Sequence, residues 1–168
     1  MEVNIDYIPW EQGKKNIKNA KILLEFPPSE IFPLLCPVEE YKWFPIWSCE
    51  MVYSQSGKAE QNAVFLTHES DGTIAVETII TYKPPKLIEF LTVKETDSVE
   101  RLSISLTEIK NNLTELKWTS MAIAYSEKGH KKEQNSNDRT CQVFLDERRK
   151  ELDYYLRNHE MIKKEGKH

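Results

Sequence analysis

The chain has 168 residues, 39% hydrophobic and 30% charged, a profile that fits a single globular domain with a real core and excludes a disordered or low-complexity chain. Its formal net charge of −4 argues against nucleic-acid binding, which needs a concentrated basic surface. No apolar run approaches the length of a membrane span.

Residues Met1 to Ile17 are polar apart from Tyr7, Ile8, Pro9 and Trp10, and read as an N-terminal arm (1–17). Glu2 and Asp6 stand where a signal peptide would carry positive charge, which predicts a cytoplasmic protein. Lys14-Lys15, like Lys131-Lys132 later, reads as a solvated face. Lys18 to Phe26 is the first expected strand, with Ala20, Ile22, Leu24 and Phe26 on one face, and Pro27-Pro28 stops it. Ser29 occupies a helix N-cap position ahead of Ile31, Phe32, Leu34 and Leu35. A second short helix is expected over Val38 to Trp43. Phe32 to Trp47 is dense in aromatics, and reads either as a core plug or as an aromatic wall at the mouth of a cavity.

Strands then follow between turn signals. Cys49 to Ser54 precedes Gly57; Ala63 to His68 alternates; Ser70-Asp71-Gly72 signals a hairpin. Ile74 to Tyr82 is expected to show Ile74, Val76, Thr78, Ile80 and Tyr82 on one face. Leu87 to Lys94 resumes the sheet after Pro84-Pro85. Arg101 to Ile109 alternates cleanly, with Leu102, Ile104 and Leu106 inward. Leu113 to Tyr125 sets Leu116, Trp118, Ser120, Ala122 and Ala124 against Met121, Ile123 and Tyr125, and periodicity does not choose between the two faces. If the first set faces inward, Ser120 and Ala122 leave space, and the second set offers an outer face for a homodimer contact.

Ser126 to Asp138 is a polar connector, expected to be mobile and with room for a helical turn. Asn137 to Lys163 is the expected long helix, roughly 38 Å at 1.5 Å per residue. Its apolar stripe is Cys141, Phe144, Leu145, Leu152, Tyr155, Leu156 and Ile162, and its wet face Asp146, Glu147, Lys150, Glu151, Asp153 and Arg157. Arg148 falls on the apolar stripe, where a charge is costly unless paired or wet. A tail, 164–168, follows the domain, 18–163.

Pro28-Ser29-Glu30-Ile31-Phe32-Pro33-Leu34-Leu35 with Trp43 and Trp47, Tyr82-Lys83-Pro84-Pro85-Lys86-Leu87-Ile88-Glu89-Phe90, and Leu116-Lys117-Trp118-Thr119 together resemble the START-like (SRPBCC) superfamily. The resemblance covers roughly Lys18 to Lys163. It implies an α+β helix-grip fold: a curved antiparallel sheet of about seven strands, two short helices after the first, and a long C-terminal helix over a cavity. Its members include polyketide cyclase/dehydrase and lipid-transfer relatives. It carries no single catalytic signature, so function rests on the cavity.

Motifs for other chemistries are missing. Five glycines form neither a dinucleotide fingerprint nor a phosphate loop, and no cofactor is implied. His68-Glu69-Ser70-Asp71 lacks a second histidine and reads as an exposed turn rather than a metal site. Cys36, Cys49 and Cys141 have no paired spacing, which fits buried thiols in a reducing compartment. The expected activity is binding of a small hydrophobic or amphipathic molecule, lipid-, sterol- or polyketide-like. The alternatives are a cyclase/dehydratase-type enzyme in the same cavity, or a protein-interaction adaptor using the outer sheet face. The expected ligand-binding residues are Trp43, Trp47, Phe65, Tyr82, Phe90, Trp118, Phe144, Arg148 and Tyr155; no catalytic residue is named. Arg148 has two open readings: half of a structural ion pair, or a charged anchor for a ligand's polar end.

Overall fold

A computed structural model describes residues 13–68, 72–94 and 97–163. The strands are β1 (Lys14–Leu24), β2 (Cys49–Tyr53), β3 (Val64–His68), β4 (Ile74–Lys83), β5 (Leu87–Lys94), β6 (Ser98–Lys110) and β7 (Leu113–Ala124). The helices are α1 (Pro28–Ile31), continued by a tight 3₁₀ turn over Phe32–Leu35, then α2 (Pro37–Glu40), α3 (Glu127–Gln134) and α4 (Asp138–Asn158). All neighbours pair antiparallel in the order β1-β7-β6-β5-β4-β3-β2. The first and last strands of the chain are therefore side by side, and β1 and β2 are the two edges. Among the described residues no helix is long and apolar enough to cross a membrane.

Alternation decides the inner face. Ala20, Ile22 and Leu24 of β1 are buried, as are Leu116, Ser120, Ala122 and Ala124 of β7. The face of β7 left open by periodicity thus turns inward with its small residues. Register fixes this, because Leu116 lies opposite both Ile22 and Leu106. Behind it, Leu66, Val76, Val93, Val99 and Ile123 are cross-strand neighbours in one row on the outer face.

Several expectations need correction. β1 starts at Lys14, not Lys18, so only residues 1–12 of the expected arm, like the tail 164–168, lie outside the described residues. Ser29 is not an N-cap: α1 begins at Pro28, whose fixed φ suits the first helical position, and no side chain caps it. In β4 a bulge between Ile79 and Thr81 splits the expected single face. Before it Ala75, Glu77 and Ile79 point inward and Ile74 and Val76 are exposed; beyond it Tyr82 pairs with buried Ile88. The polar connector holds α3, which is docked. The Asn16 amide and Lys18 ammonium both bond Glu133 at 2.9 Å, and Lys132 reaches buried Asp97 at 2.7 Å.

α4 opens on a capping box, Asn137 Oδ1 accepting from Thr140 N–H and Thr140 Oγ1 from Asn137 N–H. It has 21 residues, about 31 Å, and stops short of the expected Lys163. His159 takes a left-handed conformation, φ 55°, and the Tyr154 hydroxyl bonds Glu160 beyond it. Ile162 therefore falls outside the helix. Leu145, Leu152 and Leu156 join the core. Glu151, expected on the wet face, is buried instead, opposite Arg148.

α4 also tends the free edge of β1. Asp138 accepts from Asn19 N–H at 2.7 Å, and Gln142 both accepts from Lys21 N–H at 3.0 Å and donates to its carbonyl at 2.9 Å. Arg149 Nε donates to Leu23 O at 3.0 Å. These side chains stand where a further strand would supply backbone groups.

Candidate functional site

Between the inner sheet face, the α1–α2 block and α4 lies a cavity of about 260 Å³. Its aromatic side is built by local chain geometry. Trp43 Nε1 donates to Leu34 O at 2.8 Å and Trp47 Nε1 to Pro37 O at 2.7 Å, so each indole edge is satisfied while its face stays apolar. Phe44 stacks between them, 5.7 Å from each ring with planes 21° apart. Both sequence readings of this block therefore hold in part. Trp43 is buried core, and Trp43, Phe44 and Trp47 all line the cavity.

Of the nine residues expected to bind ligand, seven face this space: Trp43, Trp47, Phe65, Phe90, Trp118, Phe144 and Arg148. Tyr82 and Tyr155 do not line it. Tyr82 sits against Phe32, ring centroids 5.5 Å apart, and Tyr155 meets His159 edge-on at 6.3 Å.

Arg148 is both paired and at the wall. Its Nη2 donates to Glu151 Oε1 at 3.2 Å, and Nε comes within 2.8 Å of Oε2, close enough for charge attraction but off the line of a hydrogen bond. The guanidinium carbon stands 4.1 Å from the Phe44 ring centre and 5.0 Å from that of Phe144. One turn of helix supplies both charges, and two rings lie within cation–π range of the guanidinium.

The wall also carries ionisable groups that the sequence reading did not select: Glu40, Glu77, Lys94 and Glu100. Lys94 lies 3.7 Å from Glu100, which also accepts from the Ser120 hydroxyl at 2.5 Å. Glu77 accepts from Thr67 Oγ1 at 2.8 Å. The Glu40 carboxyl has no hydrogen-bond or ion-pair partner among the described residues, while the backbone carbonyl accepts from Phe44 N–H at 2.8 Å. Glu40 is half-buried and lines the cavity. Burial holds its carboxyl well above the ordinary range; nearby Glu77 pushes the same way, and Arg148 opposes. The signal for Glu77 was present, since it stands between buried Ala75 and Ile79 at period two. Glu40 had none, because only the tertiary fold aims it inward.

The cysteines look inert. Burial raises the Cys49 and Cys141 thiols, away from thiolate reactivity. Among the described residues no group of three or more His, Cys, Asp or Glu could hold a metal.

No protein-family model matches the chain, and no curated protein matches it in sequence. Solved structures do. Truncated norcoclaurine synthase from Thalictrum flavum superposes with a TM-score of 0.65 at 9% identity, over 87% of this chain and 95% of that one. CalU16 from Micromonospora echinospora gives 0.56 at 13% identity, over 88% and 87%. CV1439 from Chromobacterium violaceum gives 0.59 at 13% identity, over 84% and 96%. Likeness at such identity is a likeness of fold, and the fold is the helix grip: a curved antiparallel sheet with a long C-terminal helix.

Proposed function

We propose that this chain binds a small hydrophobic or amphipathic molecule in the cavity between sheet and α4. The observation that carries the reading is an internal space of about 260 Å³ walled mainly by Ile22, Phe65, Phe90, Leu116, Trp118 and Leu152. A well-packed core leaves few voids larger than a water molecule, so a hollow of this size suits an occupant. It falls just below the range of about 300–1,000 Å³ common for drug-sized ligands. The lipid-, sterol- and polyketide-like classes are thereby narrowed to their smaller members, since a whole sterol would need the walls to move. Trp43, Trp47, Phe65, Phe90, Trp118 and Phe144 are the proposed apolar contacts, with Arg148 at the polar side.

A second reading, an enzyme of the cyclase or dehydratase kind, is favoured by Glu40. A carboxyl whose pKa is raised by burial in an apolar wall is the kind of proton donor such reactions require. The adaptor reading draws only on the outer row of Leu66, Val76, Val93, Val99 and Ile123, the face that a second copy would also use.

The test is native mass spectrometry of protein purified without added ligand, paired with titration of an environment-sensitive apolar dye. The expected result is a co-purified small molecule, or dye binding that such a molecule displaces. Protein that carries nothing and leaves the dye dark overturns the reading.

A further inference from the structure

An antiparallel sheet with one solvated face carries polar residues outward at alternate positions. Part of this outer face breaks that pattern. One cross-strand row begins with Lys15 on β1, continues through Ile123, Val99, Val93, Val76 and Leu66, and ends with Glu50 on β2. The row beside it runs from Ile17 through Met121, Arg101, Leu91, Thr78 and Val64 to Tyr53. Val93 is 39% exposed, Val76 46%, Ile17 50% and Tyr53 59%, so the two rows set a continuous apolar patch in solvent. A patch of this kind marks a protein contact.

The order of the residues says which protein. The first row places five apolar residues between a lysine and a glutamate on opposite edge strands, and β5, the fourth of the seven strands, stands at its centre. A two-fold axis laid along β5 reverses the strand order. A second copy set face to face then presents Glu50 to Lys15, Leu66 to Ile123, Val76 to Val99 and Val93 to itself. In the second row the same rotation sets Tyr53 against Ile17, Val64 against Met121, Thr78 against Arg101 and Leu91 against Leu91. No two like charges meet in either row. An axis laid across the strands would instead stack Lys15 on Lys15 and Glu50 on Glu50.

We propose that the outer sheet face binds a second copy of this chain, in a dimer whose two-fold axis runs along β5. A closed two-fold contact must be self-complementary, and these rows are; a different protein would require no such symmetry of them. Aligned sheets packed face to face keep their strand directions within about 30°, which preserves the matching of strand with strand. A curved sheet stands furthest from its partner at its edges, and there the row carries its long charged side chains. Glu50 touches His68 at 3.2 Å within its own protomer, yet its side chain stays 68% exposed. Glu89, two residues before Leu91 on β5, is buried and held by Arg101 at 2.9 Å, so it brings no bare charge to the axis. The proposal is independent of the binding function, since this face lies behind the cavity.

Sedimentation equilibrium of the full chain is the test. The parent is expected to be dimeric at about 100 µM, a weak association in keeping with a modest contact. Val93→Lys places two ammonium groups on the axis and should weaken the dimer about a hundredfold, with a thermal melt to show that the variant folds. Lys15→Glu and Glu50→Lys each turn two attractions into two repulsions and should each weaken it about tenfold. The double variant Lys15→Glu/Glu50→Lys restores both attractions and should return to within about threefold of the parent. Both positions are exposed, so this comparison stands whether or not Val93→Lys folds. A parent that is monomeric at that concentration overturns the proposal and leaves the face to a different protein. A folded Val93→Lys that dimerises like the parent, or single reversals that the double variant does not rescue, overturns it as well.

Discussion

Arg148→Met tests what holds α4 down. Arg148 and Glu151 side chains are only 8% and 9% exposed and approach to 2.8 Å. Methionine keeps the apolar stem but removes the cation 2.8 Å from the buried Glu151 carboxylate. Removing one partner of a buried pair costs about 3–5 kcal/mol. The cation–π contacts with Phe44 and Phe144, about 0.5–2 kcal/mol, are lost, and a thioether beside the same rings recovers about 0.3–1.5 kcal/mol. The net expectation is a loss of about 4 kcal/mol, which in a chain of this size lowers Tm by about 8–16 °C at roughly 2–4 °C per kcal/mol. Thermal and urea melts of the ligand-free protein measure it. Arg148→Met/Glu151→Leu should recover most of the loss, because an apolar pair of similar volume is often as stable as the ion pair it replaces. A single variant that melts within about 2 °C of the parent, or a double variant no better than the single, would refute the reasoning and return Arg148 to the role of ligand anchor.

Glu40→Gln should change how stability depends on pH. The folded state holds the Glu40 proton more tightly than the unfolded chain does, so the parent loses stability as pH rises above the ordinary glutamate value of about 4.3 towards the raised one. Urea melts should therefore show the variant gaining on the parent from about pH 4.5 to pH 7; a pH-independent gap between them contradicts the assignment. Gly129→Ala would set a Cβ 2.1 Å from the Asp97 carbonyl oxygen, and should cost about 1–3 kcal/mol with faster hydrogen exchange in α3. An unchanged melt would mean α3 is not docked there. Leu102→Trp fills part of the cavity wall and should abolish dye binding in a protein that still melts cooperatively; full dye binding would locate the dye elsewhere.

Much of the fold was legible because a half-buried sheet writes its two faces in alternate residues. Leu102, Ile104 and Leu106 are inward as read, and so are Leu116 to Ala124 once register chooses between them. Ile74 and Val76 were legible as one face, but not that Tyr82 leaves it. A bulge adds one residue to one strand and has no signature in a period of two. Arg148 was visible as a charge on an apolar stripe. Its partner Glu151 was not, since a glutamate beside lysine and aspartate looks solvated until the helix is docked. Most of the aromatic lining could be anticipated from residue size and face. Glu40 reaches the cavity wall only because the α1–α2 block closes over the sheet, a long-range event with no local trace.

The hydrogen bonds from Asp138, Gln142 and Arg149 to the backbone of β1 also impose an order in time. α4 follows all seven strands in the chain, so a ribosome delivers the sheet before the element that covers its edge. Until α4 is made and docked, β1 presents bare amides and carbonyls along eleven residues, a template on which another nascent chain could lay a strand. The opposite edge, β2, is five residues long and interrupted by a bulge, a poor template by comparison. The hazard of misassembly is therefore confined to one side of the molecule and to the interval before synthesis of α4 is complete.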